Sequence, residues 1–447
     1  MDGILCGFAQ KEITPLGDGI FLDGYGHRMS PAEGVSDPLY VKAAVFGRKE
    51  EAEGEAETAR QAACQFAIVV LDVCGFHEPI YELLADYVEA MTGLEPGQVA
   101  ICATHTHAAP ACGVLDGLPI NWDYWGYAAE TAGRTILEAM GKMEPCSCYV
   151  AVSDREFVPA HNRRDRPFID RRMKALVFTG LDGRVRGILA SASCHPVIQT
   201  SLELSADYPR VLTRRAMEEY GVPCIFLQGR CGDINPSVPE GMGIQEAIER
   251  VGSELAEGIL SAVDKGAGKG EVPSSIDNCY WKVRIPMKVA PQPEEARRSF
   301  EGKLKEYLAQ PWSLEKHYAF REAEWHRKRY RSSRCGEDFG LWVPIQMLDM
   351  GHRQVFLFLP FEILTSTGNK AEEILGRFGY EEGNIFVVGY ANCVNGYLAP
   401  REELAVGGYE VTGAAHWYGL PECSEETEKA VLEAVEQMAG EMLGRKT

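Results

Sequence analysis

Seven short apolar runs, separated by segments of helical pattern, constrain this chain more than any other feature. They are FAIVVLDV (66–73), VAICAT (99–104), ALVFTG (175–180), VRGILASASC (185–194), CIFLQG (224–229), QVFLFLP (354–360) and IFVVGY (385–390). Most are apolar on successive positions, as strands covered on both faces require. Between them, Pro209 stands where a missing N–H costs least, and 209–220 reads as a helix that ends at Gly221. Near the C-terminus Ser424 is positioned to cap a helix with two glutamates in its first turn and Val431, Val435, Met438 and Met442 on one face. The expected fold class is α/β, a mixed β-sheet core flanked by helices. Two stretches break the rhythm: a charged run at 47–61, expected as a solvated loop, and a charged, aromatic helical excursion at about 290–340. The helical excursion reads best as a solvated helical pair, with a lid or partner surface as the other reading.

The chain has 447 residues and a formal charge of -20, which repels phosphate backbones and anionic membranes and excludes nucleic acid as an expected partner. No run of about 18 apolar residues is present for a membrane span. The start, MDGILCGFAQ, has neither the basic segment nor the apolar stretch of a signal peptide. The 14 cysteines are scattered, several within apolar runs, and are expected to be reduced and buried. A cytoplasmic location is the corresponding expectation.

Polar chemistry collects where apolar runs stop. In THTH, His105 and His107 lie two residues apart, and on an extended segment both side chains project to one face. His195 ends a second apolar run, SASCHP. Strand-end histidines from distant positions are what a metal site at one edge of a sheet needs. In FLQGRCGDINP, Gly229 and Gly232 permit unusual backbone angles that could aim N–H groups at an anion, with Asp233 at the strand's mouth. Asp207, in SADYP, stands at a helix entry where capping and catalysis are equally served.

The ordered succession of THTHAAP, SCHPVIQT, SADYPRVLTRRAMEEYG, FLQGRCGDINP, LPFE and NGYLAPREELAVGGYE resembles the catalytic domain of the neutral/alkaline ceramidase family. The opening GFAQKEITP and DGYGHRMSPAEGVSDPLYVKAAVF also resembles that family, so the likeness spans nearly the whole chain. It implies one ceramidase-like catalytic domain over 1–447 and a zinc hydrolase that cleaves a C–N amide bond with metal-activated water. The implied zinc ligands are His105, His195, Glu362 and Tyr397. Tyr409 matches a second active-site tyrosine, and Arg163 an arginine lining the pocket, with Arg164 beside it. Within that scheme His107, Tyr409 or both stabilise the oxyanion or protonate the leaving amine, and Asp207 and Asp233 orient the ligands from behind. The implied substrate is an N-acyl compound, a lipid-like amide such as ceramide or a smaller soluble amide.

Three departures matter. Asn235 stands where the family carries a serine, which weighs against a covalent serine mechanism. HTHSGPGG of the family becomes HTHAAPACG here, which alters a pocket wall. One helix follows the tyrosine region, so no C-terminal β-sandwich is expected. Two other readings compete: an amidohydrolase β/α barrel, which eight repeated β/α units would identify, and a non-catalytic metal-binding scaffold or interaction protein that keeps the fold.

Overall fold

In the computed structural model, which describes residues 4–48, 63–115, 117–336 and 340–444, all seven apolar runs are strands. Strands β1 (Ile4–Glu12), β2 (Tyr40–Arg48) and β3 (Cys64–Leu71) form an antiparallel meander. Helix α1 (Glu78–Thr92) then crosses to β4 (Val99–Ala103), which runs parallel to β3, and α2 (Trp122–Gly141) packs on α1, β1 and β2. The same path is then repeated. β5 (Glu144–Val152), β6 (Lys174–Gly180) and β7 (Val185–Ala192) are antiparallel neighbours. α3 (Pro209–Tyr220) crosses to β8 (Cys224–Gln228), parallel to β7, and α4 (Ile244–Gly266) packs on α3, β5 and β6. β1 and β5 join the halves antiparallel, so the order β8-β7-β6-β5-β1-β2-β3-β4 has the same plan from either edge. This open, mostly antiparallel sheet excludes the barrel reading.

The strands read as continuous apolar runs because both faces are covered. On β4, Val99 and Ile101 enter the core beneath the helices, while Ala100 and Cys102 face the opposite core. That opposite core is closed by a second sheet of β9 (Ile276–Pro286), β10 (Gly340–Met350), β11 (Gln354–Phe358) and β12 (Ile385–Val388). Its Met350, Phe356, Phe358 and Phe386 meet Phe8, Phe66, Phe178 and Ile225 of the first sheet. Its outer face is covered by α7 (Thr365–Arg377) and α8 (Thr427–Gly444). The result is a helix–sheet–sheet–helix stack.

Helix α3 starts at Pro209 and ends at Gly221, whose φ of 69° is the left-handed conformation glycine takes without cost. The last helix begins at Thr427, later than its pattern implies. Thr427 Oγ1 donates to Pro286 O at 2.6 Å, tying the turn around Ser424 to the end of β9 before the helix can start. Val431, Val435, Met438 and Met442 are buried on it, as expected. The excursion is a helical hairpin, α5 (Pro293–Ala309) and α6 (Leu314–Cys335). The charged run at 47–61 lies outside the described residues after Arg48. Among the described residues none of the 14 cysteines is joined in a disulfide, and all but Cys335 are buried. Among the described residues, no helix is long and apolar enough to cross a membrane.

The segment following β12 positions the site. Gly389 N donates to Gln228 O at 3.0 Å, Ala103 N to Tyr390 O at 3.0 Å, and Asn392 N to Ile101 O at 2.7 Å. One stretch of chain thereby stitches together the C-terminal ends of β8 and β4, the two edges of the large sheet.

Candidate metal centre

His105 follows β4, His195 follows β7, and Glu362 stands on the two-residue strand Glu362–Ile363, which pairs in parallel with Tyr397–Leu398. These residues, remote in the chain, meet in the interior: His195 Nε2 lies 3.0 Å from Glu362 Oε2, and His105 Nε2 lies 3.4 Å from the same oxygen. The register of this two-strand ladder places Glu362 directly opposite Tyr397. His105 reaches the cluster through a left-handed φ of 68°, not through an extended strand, so the same-face argument for THTH fails locally. The two rings still converge, with centroids 4.7 Å apart and His107 Nε2 3.1 Å from His105 Nε2. Asp207 and Tyr390 are also left-handed, at φ 57° and 54°, so three side-chain-bearing residues near the cluster hold a conformation that surrounding structure must impose.

The hydrogen bonds define what this cluster accepts. His105 Nδ1 lies 2.6 Å from Cys74 O, and His195 Nδ1 lies 3.1 Å from Ile234 O. A carbonyl only accepts, so each Nδ1 carries the proton and each Nε2 offers a lone pair. Those lone pairs face a carboxylate oxygen with no proton assigned between them. Burial lowers His195 to about 4, which keeps its ring neutral at neutral pH. Three converging acceptors of this kind repel one another unless a cation lies among them, and two imidazoles with a carboxylate are an ordinary donor set for zinc. The residues therefore fit a divalent metal ion. A second group, Cys74, His105 and His107, shares His105, but with Nδ1 donating to Cys74 O the remaining lone pair of His105 serves the first set.

Tyr397 stands beside the cluster. Its hydroxyl accepts from Arg163 Nη2 at 2.8 Å, and burial pushes its pKa well above the ordinary value, with Arg163 opposing and Glu362 reinforcing the shift. Arg163 also donates from Nε to Glu410 Oε1 at 2.7 Å and from Nη2 to Gly232 O at 2.7 Å. Arg164 turns away to Glu403 and Glu410, holding the segment that carries Tyr409. Tyr409 lies 5.8 Å from Tyr397, ring to ring. Burial lowers His107 well below its ordinary value, so it too is neutral.

The two aspartates touch neither histidine ring. Asp207 Oδ2 accepts from Ile198 N at 2.8 Å and Gln199 N at 2.7 Å, fixing the loop after His195. Asp233 Oδ1 accepts from Thr365 N at 2.8 Å and Oδ2 from Asn162 Nδ2 at 2.7 Å, bracing the residues beside Glu362 and Arg163. Gly229 and Gly232 do not form an anion-binding nest. Gly229 N donates to Ala192 O and Gly232 N to Ile363 O, and neither glycine has a positive φ. Glycine is needed there for close approach, since a Cβ at 232 would lie 2.8 Å from Ile363 O.

Sequence reasoning missed the groups that hold the carboxylate. Tyr390 donates to Glu362 Oε2 at 3.2 Å, and Tyr418 donates to Glu362 Oε1. Tyr390 ends the run IFVVGY, so the strand-end argument that found His195 applies to it; Tyr418 carries no comparable signal. Arg28, also missed, donates to the backbone oxygens of His107 and Gln199. In front of the cluster lies a cavity of about 310 Å³, lined among others by His107, Arg163, Asn235, Tyr397, Tyr409 and Trp417.

No protein-family model and no curated protein matches this sequence. Among solved structures, the fold is similar to neutral ceramidase from Pseudomonas aeruginosa, with a TM-score of 0.74 and 17% identity over 100% of this chain and 75% of that one. It is likewise similar to a ceramidase complexed with C2, with a TM-score of 0.73 and 17% identity over 100% of this chain and 76% of that one. Across its full length, this chain has the fold of neutral ceramidase.

Proposed function

We propose that this protein is a zinc-dependent hydrolase of a C–N amide bond, with His105, His195, Glu362 and Tyr397 as metal ligands in one catalytic domain spanning 1–447. The observation that carries this reading is the pair of imidazoles whose Nδ1 protons are committed to Cys74 O and Ile234 O while both Nε2 atoms face Glu362. The fold likeness to two ceramidases supports the amide bond as the target. Zinc, when bound, lowers the pKa of water towards neutrality and polarises a carbonyl. Arg163 balances the negative charge that collects on Tyr397 and on the reacting oxygen. His107, lining the cavity, stabilises the developing oxyanion or passes a proton to the departing amine. Tyr409, on the cavity wall, is placed to hold the developing oxyanion. Asn235 contributes no nucleophile; it accepts from Arg163 Nη1 at 3.4 Å. The buried thiols, none joined in a disulfide among the described residues, fit a reducing compartment and a cytoplasmic location.

The test is His105→Ala, assayed for bound zinc by elemental analysis and for release of free amine from simple N-acyl substrates. Zinc and turnover should disappear together. Turnover that persists without zinc overturns the proposal.

A further inference from the structure

The shape and lining of the cavity carry a conclusion about the substrate, one that rests on the hydrolase reading above. At about 310 Å³ the cavity stands at the lower end of the range for small-molecule sites. Leu115 and Val197 are the aliphatic side chains on its wall. The rest of the wall is aromatic or polar, including Tyr25, His27, Tyr318 and Trp417 besides the residues of the metal centre. Rings of this kind stack on the C–H faces of a hydrophilic molecule while their polar edges, with His107 and Asn235, meet its hydroxyl and amide groups.

The roof is interlocked. Tyr318, on the hairpin helix α6, meets the Trp417 indole edge-to-face at 5.4 Å and 90°. The same indole lies against Gly26, where an added Cβ would sit 2.7 Å from Trp417 Cη2. Trp417 is therefore held against Gly26 and Tyr318 on the cavity wall, where its bulk limits the room beside the metal centre. Leu308 and Trp312 stand exposed at the turn of the hairpin, but neither lines the cavity.

We infer that the substrate is a compact, hydrophilic N-acyl amine with a short acyl group, of the size of one N-acetylated amino sugar, and that Trp417 and Tyr318 are the residues that exclude a two-chain lipid amide. The reaction balances as amide plus water giving a carboxylate and an ammonium ion. The C–N bond breaks, the water oxygen becomes part of the carboxylate, and both water protons end on the amine nitrogen, which already carries one hydrogen.

The experiment uses the zinc-loaded full chain with two readouts. Free amine is measured with N-acetylglucosamine and with ceramides of 2, 6 and 16 acyl carbons in detergent micelles, and binding of the same compounds is followed by ligand-observed magnetic resonance. The expected result is N-acetylglucosamine binding that weakens at least tenfold in Trp417→Ala with zinc content unchanged. Its kcat/KM is expected to be at least a hundredfold above that of the 16-carbon ceramide. Tyr318→Ala, which opens the roof from a separate element, should narrow that ratio. If the 16-carbon ceramide is cleaved and N-acetylglucosamine neither binds nor reacts, the inference is overturned while the hydrolase reading stands. If N-acetylglucosamine binds in a Trp417-dependent way but nothing is cleaved, the hydrolase reading fails and the ligand class stands.

Discussion

Tyr418→Phe isolates one hydrogen bond at the proposed metal centre. Glu362 is fully enclosed, and its two oxygens are served unequally: Oε2 faces His195, His105 and the Tyr390 hydroxyl, whereas Oε1 has the Tyr418 hydroxyl. Phenylalanine keeps the ring that packs 6.2 Å from Tyr397, so no cavity opens and only the donor is lost. A hydrogen bond to a buried charged group contributes about 1.5–3 kcal/mol. The carboxylate then loses the contact that turns Oε2 towards the histidines. At about 1.4 kcal/mol per decade, that range corresponds to a roughly tenfold to hundredfold loss of metal affinity. Residues that orient a metal ligand lose a similar amount when removed, about 10–100-fold. The assay is competition for zinc against a chromophoric chelator at pH 7, with thermal unfolding of the metal-free protein alongside. Tyr390→Phe should cost less affinity, because its hydroxyl meets Oε2 at a longer 3.2 Å and is shared with Cys231 Sγ at 3.0 Å. A zinc affinity within twofold of wild type in Tyr418→Phe, with unfolding unchanged, would refute the claim that Tyr418 holds Glu362.

Two further perturbations probe the surroundings of the centre. Gly24 has φ 92° and an added Cβ would lie 2.4 Å from His107 Cγ, so Gly24→Ala should cost about 1–2 kcal/mol in backbone strain. Displacing the ring adds about 1–3 kcal/mol; urea unfolding and kcat/KM should both fall, and an unchanged pair of values contradicts this placement of His107. Burial raises Asp207 from 3.8 to about 6, so the folded state holds its proton where the unfolded chain has released it. The stabilisation from that proton is complete below pH 3.8 and is lost as pH rises through about 6, at up to about 1.4 kcal/mol per pH unit. Urea unfolding at intervals from pH 4 to 7 should show this slope in wild type and not in Asp207→Asn; parallel curves for the two proteins exclude it.

Much of the architecture was legible in the sequence because both faces of the central strands are covered. A strand such as β4 must then be apolar at every position, and that continuous run is visible without coordinates. The end of α3 at Gly221 was legible for a local reason, the left-handed conformation that glycine adopts there. Strands at the margins were harder. β9 alternates in burial and carries Lys282 and Arg284 among its residues, so no apolar run marks it. The doubled strand–helix plan of the large sheet left no trace in the sequence, because topology constrains pattern and not residue identity.

At the candidate site, strand-end position and resemblance named His105, His195, Glu362 and Tyr397, but the residues that hold them were out of reach. Whether a tyrosine such as Tyr418 points at a buried carboxylate depends on a chain segment over 50 residues away in sequence. The glycines after β8 were misread for the same reason: their N–H groups looked free in the local sequence, while Ala192 and Ile363, supplied by other elements, consume them.

The layered α/β class, the principal buried strands and the strand-end histidines follow from local sequence, since hydrophobic period and backbone preference act over a few residues. That the chain after β12 draws the ends of β4 and β8 together is instead a matter of long-range packing. That convergence places two imidazole lone pairs and one carboxylate about a common point, and distances between remote residues are set by packing, which no local pattern encodes.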